Sequence, residues 1–587
     1  MKLGTTTLGT RDSVNILLWE GQRLSPLDNK IIAIDTETNV IKDFTKTPNM
    51  VAFQAFDNSN CYYVYPRDVV SFFKVNKSFS YVLHNFAFDY DVINKEGGKS
   101  ILDDLIDNNQ IWDTSILYRL WFLATEGYVP FKYNLAMIAE KFRGYVLPKD
   151  DHLRLNWGDY KGMEFNHIPL DMIEYGAKDV IATYDVYSDL LSRFFSLPYK
   201  ELREKYLFEY MSHHIQLKGD LALNSIYKNG IGFDLPKATE LLSNLDSRLN
   251  DLGTQLAHWG WVRGMKGGSI AFENAANILG FSKELPRTAN GELSTKAEDL
   301  EDYAQIPFVK DYVDYHKIEK LTSFVRKLDS NIVHPRYNLL MTTGRTSCKS
   351  PNFQQLPKEG GIRQLFKAQE GNTFLITDYS TLELATLAQV CYKRYGRSLM
   401  RDKINDGEDL HKYYASVLYS KPISDVTKGE RQSAKAANFG FPGGLGIATF
   451  IEYAKTYELN IDYDEAKEMR DAWFKAFPEM NEYMANEIGY SITETGRVRG
   501  NTRYTAEKNT PFQGLAADGA KLALYDLYRN GFTLRGFVHD EIITEVPLVL
   551  AETMLPIQER IMIENMQKVT PDVDIKVESM INPFYTK

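Results

Sequence analysis

Three observations predict a multidomain protein of mixed α/β and α+β class. Apolar runs of strand length end in acidic residues in both the first and the last third of the chain. Between them lie long segments of helical period. The 587 residues, 44% of them hydrophobic, suffice for roughly four domains with sizeable cores.

The first strand is 31–34, Ile-Ile-Ala-Ile, which runs into Asp35-Thr36-Glu37-Thr38. The two-residue period of a strand puts Asp35 and Glu37 on one face, an acidic pair suited to a metal. Residues 81–89 repeat the pattern of a strand leading to an acid, here Asp89. In 171–179, Tyr175 and Asp179 stand four apart, on one side of a helix. Beyond Leu197-Pro198 a helix over 209–229 ends at Gly230, which predicts a domain boundary near 195–205. A helix over 314–327 carries Lys317, Lys320 and Lys327 on one side, a face suited to phosphates.

The second half turns on 373–379, Thr-Phe-Leu-Ile-Thr-Asp-Tyr, an apolar strand with Asp378 at its tip. Ser380 reads as the N-cap of a following helix that buries Leu384, Leu387, Ala388 and Cys391. Far downstream, 536–546 sets Asp540 and Glu541 between two β-prone runs, as a tight hairpin would. Brought together, Asp378 and Asp540 would hold two divalent cations roughly 4 Å apart, the arrangement that stabilises both oxygens of a phosphoryl transfer. Arg431, Lys435 and Phe439 recur at i, i+4 and i+8, so one helix face offers two cations for phosphates and then a ring for a sugar and base.

Composition narrows the function classes. A formal net charge of −10 argues against coating nucleic acid by bulk attraction, while a locally basic channel stays open. Cys61, Cys348 and Cys391 are too scattered for a disulfide framework or a zinc site, which fits a reducing cytoplasm. No signal segment or membrane-spanning run is visible.

Two resemblances follow from these residues. Asp35, Glu37, Asp89, Tyr175 and Asp179 resemble, in order and local spacing, the DEDD-type proofreading exonucleases of the Y-x-x-x-D kind. That resemblance implies an RNase H-like domain with divalent metals on the four carboxylates, Tyr175 orienting the attacking water and Asn85 holding the frayed strand. The motifs T-G-R-x-S at 343–347, P-N-x-Q-x-x-P at 351–357, I-R-x-x-F at 362–366 and D-Y-S-x-x-E-L at 378–384 resemble family A DNA polymerases. Together the two resemblances cover nearly the whole chain.

What they imply is a 3′–5′ exonuclease domain over 1–195 and a right-hand polymerase over 196–587. The thumb is expected at about 205–335, the palm at about 336–395 and 500–587, and the fingers at about 396–499. By resemblance, Asp378 and Asp540 hold two Mg2+ ions, with Mn2+ a substitute, and Glu541 supports them. Tyr379, Glu383, His411, Arg431, Lys435 and Phe439 fall on nucleotide-binding positions. Arg345, Asn509, Gln513 and His539 fall on minor-groove positions, where donors test pair geometry without choosing a base. Lys317 and Lys320 would touch DNA phosphates.

The implied partners are primer-template DNA and dNTPs, with replisome proteins unspecified. A monomeric, phage-encoded replication enzyme in the host cytoplasm is expected, with no 5′ nuclease domain before residue 1. Two rivals are a single-subunit RNA polymerase and a catalytically silent primer-template binder.

Glu383 has two readings: a gate beneath the sugar, or the N3 residue of a capping box with Ser380. The chain departs from the family at Phe441-Pro442-Gly443-Gly444, where many relatives carry an aromatic at the place of Gly443. Since proline costs about 3 kcal/mol inside a helix, the nucleotide helix is expected to end or bend there.

Overall fold

The apolar run at 31–34 reads as continuous because its strand lies inside a sheet covered on both faces. The computed structural model describes all residues except 27–29, 148–152, 154, 200–211, 264–267, 289–290, 486 and 587. Its first sheet has seven strands: β1 (Lys2–Thr6), β2 (Val14–Leu18), β3 (Ile31–Thr38), β4 (Met50–Phe56), β5 (Asn60–Val64), β6 (Ser80–Leu83) and β7 (Ile111–Asp113). They lie in the order β1-β2-β5-β4-β3-β6-β7, with β3 antiparallel to β4 and parallel to β6.

Among the helices of this domain, α1 (Phe86–Lys95), α2 (Thr114–Glu126) and α3 (Leu170–Phe195) bear on the site. Asp113 ties two helix starts together, accepting from Ser115 N to cap α2 and from Phe86 N at the head of α1. Helix α3 ends at Phe195. The part of the expected boundary at 200–205 lies outside the described residues, as does the start of the expected helix at 209–211.

Helix α4 (Ser212–Asn229) follows, then α5 (Leu235–His258) and α6 (Pro307–Val325). The segment holding α5 and α6 has its own core of Leu256, Trp261, Phe272, Phe308 and Tyr312. Helix α6 stops at Val325, so Lys327 falls beyond it and the expected three-lysine face is reduced to Lys317 and Lys320. Lys317 is ion-paired to Glu301 at 2.8 Å.

The second sheet is antiparallel, of β8 (Asn372–Tyr379), β9 (Thr533–Val538), β10 (Glu541–Pro547) and β11 (Val577–Asn582), in the order β9-β10-β8-β11. Phe374, Leu375 and Ile376 of β8 are fully buried. At roughly 1.5–3 kcal/mol per buried side chain, they anchor the strand whose tip bears Asp378. Around the sheet stand α7 (Leu382–Tyr395), α8 (Leu410–Leu418), α9 (Lys428–Gly440), α10 (Tyr504–Arg529) and α11 (Ala551–Val569).

Two local expectations are corrected here. Ser380 is not the N-cap of α7: β8 continues to Tyr379, and Thr381, at φ 50°, turns the chain into the helix with no side-chain cap bond. Ser380 Oγ instead donates to Glu578 on β11 at 3.1 Å. Helix α4, expected in the thumb, packs elsewhere. His213 accepts from Asp113 N at 2.9 Å, and Gln216 donates to Asp518 on α10 at 3.0 Å, so α4 bridges the first domain and α10.

The bend at Pro442 occurs as expected. Helix α9 starts with a capping box of Thr427 and Glu430, ends at Gly440, and passes into a 3-10 turn over Phe441–Gly443. All three cysteines are buried and unpaired. Among the described residues, no helix is long and apolar enough to cross a membrane.

Two candidate active sites

In the first domain, Asp35 and Glu37 on β3 meet Asp179 on α3, with carboxylate oxygens all within 4.8 Å of one another. Helix α3 comes this close because residue 176 is glycine. A Cβ there would lie 2.6 Å from the Tyr63 hydroxyl and 2.7 Å from Gln54 Nε2. Asp89 joins them from the first turn of α1, with its Oδ1 held by Thr36 Oγ1 at 2.5 Å. It therefore stands beside the three-carboxylate cluster and not within it.

Burial, then repulsion from Asp35, pushes Asp179 up to about 8. Burial also raises Asp35, while Glu37 is raised by burial and then by Asp35, Asp179 and Asp89. Glu37 Oε1 is buried with no hydrogen-bond partner among the described residues. Partly to fully buried acids that repel one another, one with an orphaned oxygen, are a donor set that fits divalent cations. Burial and then Asp179 keep the Tyr175 phenol protonated, so it can donate.

In the second sheet, Asp378 at the tip of β8 stands opposite Glu541 on β10 and Glu578 on β11. The expected hairpin is present, with His539 and Asp540 forming its two-residue turn and His539 exposed at φ 60°. Burial, then the charge of Asp378, raises the Asp540 carboxyl. Glu541 is 5% exposed, buried beside the pair. This carboxylate set also fits divalent cations, since repulsion between Asp378 and Asp540 is what a cation relieves.

Glu578 was not legible in the sequence, because its acidic neighbour Asp378 lies on the adjacent strand but some two hundred residues earlier in the chain; pairing of β11 with β8 alone reveals it. The ring of Tyr379, expected at a nucleotide-binding position, does not face the site: its side chain is 3% exposed and its hydroxyl donates to Met562 O at 2.8 Å, because strand alternation turns it away from Asp378 and leaves only its backbone at the strand tip.

Glu383 on α7 is ion-paired with Arg345, and Arg345 also acts electrostatically on Asp540. Asn509 and Gln513 lie one turn apart on α10, with Asn509 donating to Gly443 O at 3.3 Å. A Cβ at 443 would sit 2.6 Å from Asn509 Nδ2, so a side chain there requires Asn509 to move.

On α9, Arg431, Lys435 and Phe439 share one half-exposed side, and the helix keeps its geometry past Phe439. Arg431 pairs with Asp409 at 2.8 Å, and Asp409 also caps α8 through His411 N and Lys412 N. The Phe439 ring lies 5.5 Å from that of His411. Asn438, which sequence reasoning passed over, sets the His411 tautomer. Its Oδ1 accepts from Trp473 Nε1 at 3.1 Å, so its Nδ2 donates to His411 Nδ1 at 3.0 Å, leaving the proton on Nε2. Burial first, with Arg431 and Lys435 adding to it, holds His411 down to about 4 against the pull of Asp409. It is a neutral donor at pH 7.

A cleft of about 530 Å³ lies between the first domain and α4, lined by Asn85, Phe44, Phe88, Tyr133, Tyr227 and Arg336. Asn85 is exposed there, at the head of the helix that carries Asp89.

Residues 272–586, more than half of the chain, match the description "DNA polymerase family A". The chain belongs to DNA polymerase family A. Residues 22–194 match "3'-5' exonuclease", so this family A polymerase carries a proofreading-type domain ahead of its polymerase domain. It is a DNA-directed DNA polymerase with a 3′–5′ exonuclease domain. It is 29% identical to DNA polymerase I of Aquifex aeolicus over 83% of this chain and 89% of that one. It is 30% identical to DNA polymerase I of Caldicellulosiruptor bescii over 50% of this chain, spanning 38% of that relative.

Among solved structures, the polymerase domain of Pol1 from M. smegmatis, in complex with DNA primer-template and dNTP, has the same fold. Its TM-score is 0.70 at 20% identity, covering 94% of this chain and 95% of that one. These relatives are bacterial, and nothing in them supports the expected phage origin.

Proposed function

We infer that this polymerase extends a primer 3′ end with dNTPs at Asp378 and Asp540 and removes mispaired 3′ ends at Asp35, Glu37, Asp89 and Asp179. The observation that carries the reading is the presence of two separate carboxylate clusters, each at a strand end of its own sheet. Divalent ions, with magnesium the proposed one, would when bound stabilise the attacking and leaving oxygens at each cluster. Arg431, Lys435 and the Nε2–H of His411 bind the triphosphate, and Phe439 packs on the sugar. Arg345, Asn509, Gln513 and His539 hold the primer-template minor groove. Lys317 and Lys320 grip its phosphates from the thumb. The aromatic cleft beside Asn85 takes the frayed, single-stranded end by stacking.

The hand is assigned as thumb from α5 to about 335, palm at about 336–395 and 500–587 together with α4, and fingers at about 396–499. The test is a labelled primer-template with dNTPs, with rNTPs, and with a mismatched end. Extension with dNTPs and trimming of the mismatch are expected. Equal extension with rNTPs would favour the RNA polymerase reading, and no extension the silent binder.

Two side chains control sugar choice in this reading. With the capping box absent and Glu383 paired instead with Arg345, its carboxylate serves as a gate: beneath the sugar it leaves no room for a 2′ hydroxyl. Glu383→Ala is expected to raise rNTP use relative to dNTP use by about tenfold, or ~1.4 kcal/mol. Equal losses with both would mean that Glu383 serves only to hold Arg345.

Phe439→Tyr is expected to lower discrimination against dideoxynucleotides by at least about tenfold. The new hydroxyl replaces the polar group that a chain terminator lacks. Because the bend falls after Gly440, the ring keeps its place on the cationic face. Competition between deoxy- and dideoxynucleotides on one template decides it, and an unchanged ratio would turn Phe439 away from the sugar.

A further inference from the structure

Behind the Arg345 turn lies a fully buried charge cluster that the polymerase reaction, as described above, does not use. Arg497 and Asp518 pair with neither side chain exposed. Asp518 also accepts from Thr495 Oγ1 and Gln216 Nε2, and Arg497 Nη1 donates to Ser212 Oγ at 3.2 Å. Lys521, one turn along α10 from Asp518 and fully buried, donates to Gln216 Oε1 and, at 2.7 Å, to the carbonyl of Gly344.

That carbonyl belongs to a tight turn. Gly344 N donates to Met341 O at 2.8 Å, and Met341 N to Arg345 O at 2.8 Å. Gly344 sits at φ +92°, and a Cβ on it would lie 2.1 Å from Arg497 Nη2, so only glycine lets the turn rest on the guanidinium. The next residue, Arg345, is the one ion-paired with Glu383.

Burying two cations with one carboxylate is costly, and a buried ion pair is weak support for stability, so orientation is the stronger reason for this cluster. Burial first, then Arg497 and Arg119, draws Lys521 down to about 7, against Asp518 and Asp220, which raise it. Two carbonyl oxygens accept from it, the side-chain amide of Gln216 on α4 and the backbone of the turn.

We propose that Lys521 is a positioning residue for polymerisation: clamped by Gln216, it holds the Gly344 carbonyl and thereby sets Arg345 against Glu383 and the primer terminus. The inference rests on the reading of Arg345 as a primer-template contact. No part of it involves direct contact between Lys521 and a substrate.

The experiment is a double-mutant cycle in the full chain, with single-nucleotide extension and melting temperature measured on each variant. Lys521→Met removes the donors and keeps the length of the side chain. Loss of the bonds that Lys521 donates to the turn and to Gln216 is expected to lower kcat/KM for extension by about tenfold. Degradation of single-stranded DNA should stay within about twofold, because the exonuclease carboxylates are untouched. In the Arg345→Ala background, Lys521→Met should add nothing further, since the turn then has no guanidinium to place.

Multiplying losses in the double variant, or a lower melting temperature with unchanged kcat and KM, would overturn the proposal. Should Lys521→Met fail to fold, Gln216→Met, which loosens the clamp and keeps the lysine, is read in the same cycle against the same outcomes. An Arg345→Ala variant that extends normally would overturn the reading of Arg345 and this inference with it. A crippled Arg345→Ala with an additive Lys521→Met would overturn only the latter.

Discussion

Asp378→Asn, and separately Asp540→Asn, is expected to lower primer extension by about a thousandfold or more, which corresponds to about 4 kcal/mol of transition-state stabilisation. The geometry demands both carboxylates. Antiparallel pairing of β8 with β10 fixes Asp378 opposite Glu541, and the two-residue turn then presents Asp540 beside it. Primer-template affinity, measured by fluorescence anisotropy, should change little, because binding rests on phosphate and groove contacts. Unfolding cannot account for such a loss. Asp540 is already raised by burial and by Asp378, so neutralising either acid relieves repulsion. Substantial residual extension in either variant would remove these two residues from the metal site.

The Asp35→Asn, Glu37→Gln double variant is expected to lose trimming of a mismatched 3′ end by at least about a thousandfold while extending a matched primer normally. A second readout follows from the same cluster. The folded protein raises Asp35, Glu37, Asp89 and Asp179 above the ordinary carboxylate range, with Asp179 near 8. Folded chains therefore hold protons on this cluster that unfolded chains have released, so the cluster's contribution to metal-free stability is fully present below about pH 4 and is lost as pH rises toward 8. In chelator at pH 8 the double variant should melt higher than the wild type, and added Mg2+ should stabilise the wild type more than the variant. Persistent trimming by purified double variant would place the nuclease site elsewhere, and a melting-temperature gap between variant and wild type that does not widen from pH 5 to 8 without metal would contradict the clustered acids.

Both sites were largely legible in the sequence for a local reason. A strand that ends in an acid, and a tyrosine four residues before an aspartate on a helix, are patterns a few residues long, and the backbone period alone assigns their faces. The two-cation face of α9 and its break at Pro442 were legible for the same reason. Local chemistry misled where a distant strand intervened. Ser380 has the composition of a cap, yet β8 runs on to pair with β11, and Glu578 takes its hydroxyl.

By itself, then, the sequence determined the strands that carry the carboxylates, the carboxylates themselves and the family to which the chain belongs. Only the tertiary structure decided what those residues lean on. The pairing of Arg345 with Glu383, the tautomer of His411 set by Asn438 and Trp473, the placement of α4 against α10, and the grip of Lys521 on Gly344 each join segments tens to hundreds of residues apart. Such contacts leave no periodic signal, because burial and hydrogen-bond satisfaction belong to the packed interior, where an unpaired polar group is costly, and not to any stretch of chain read alone.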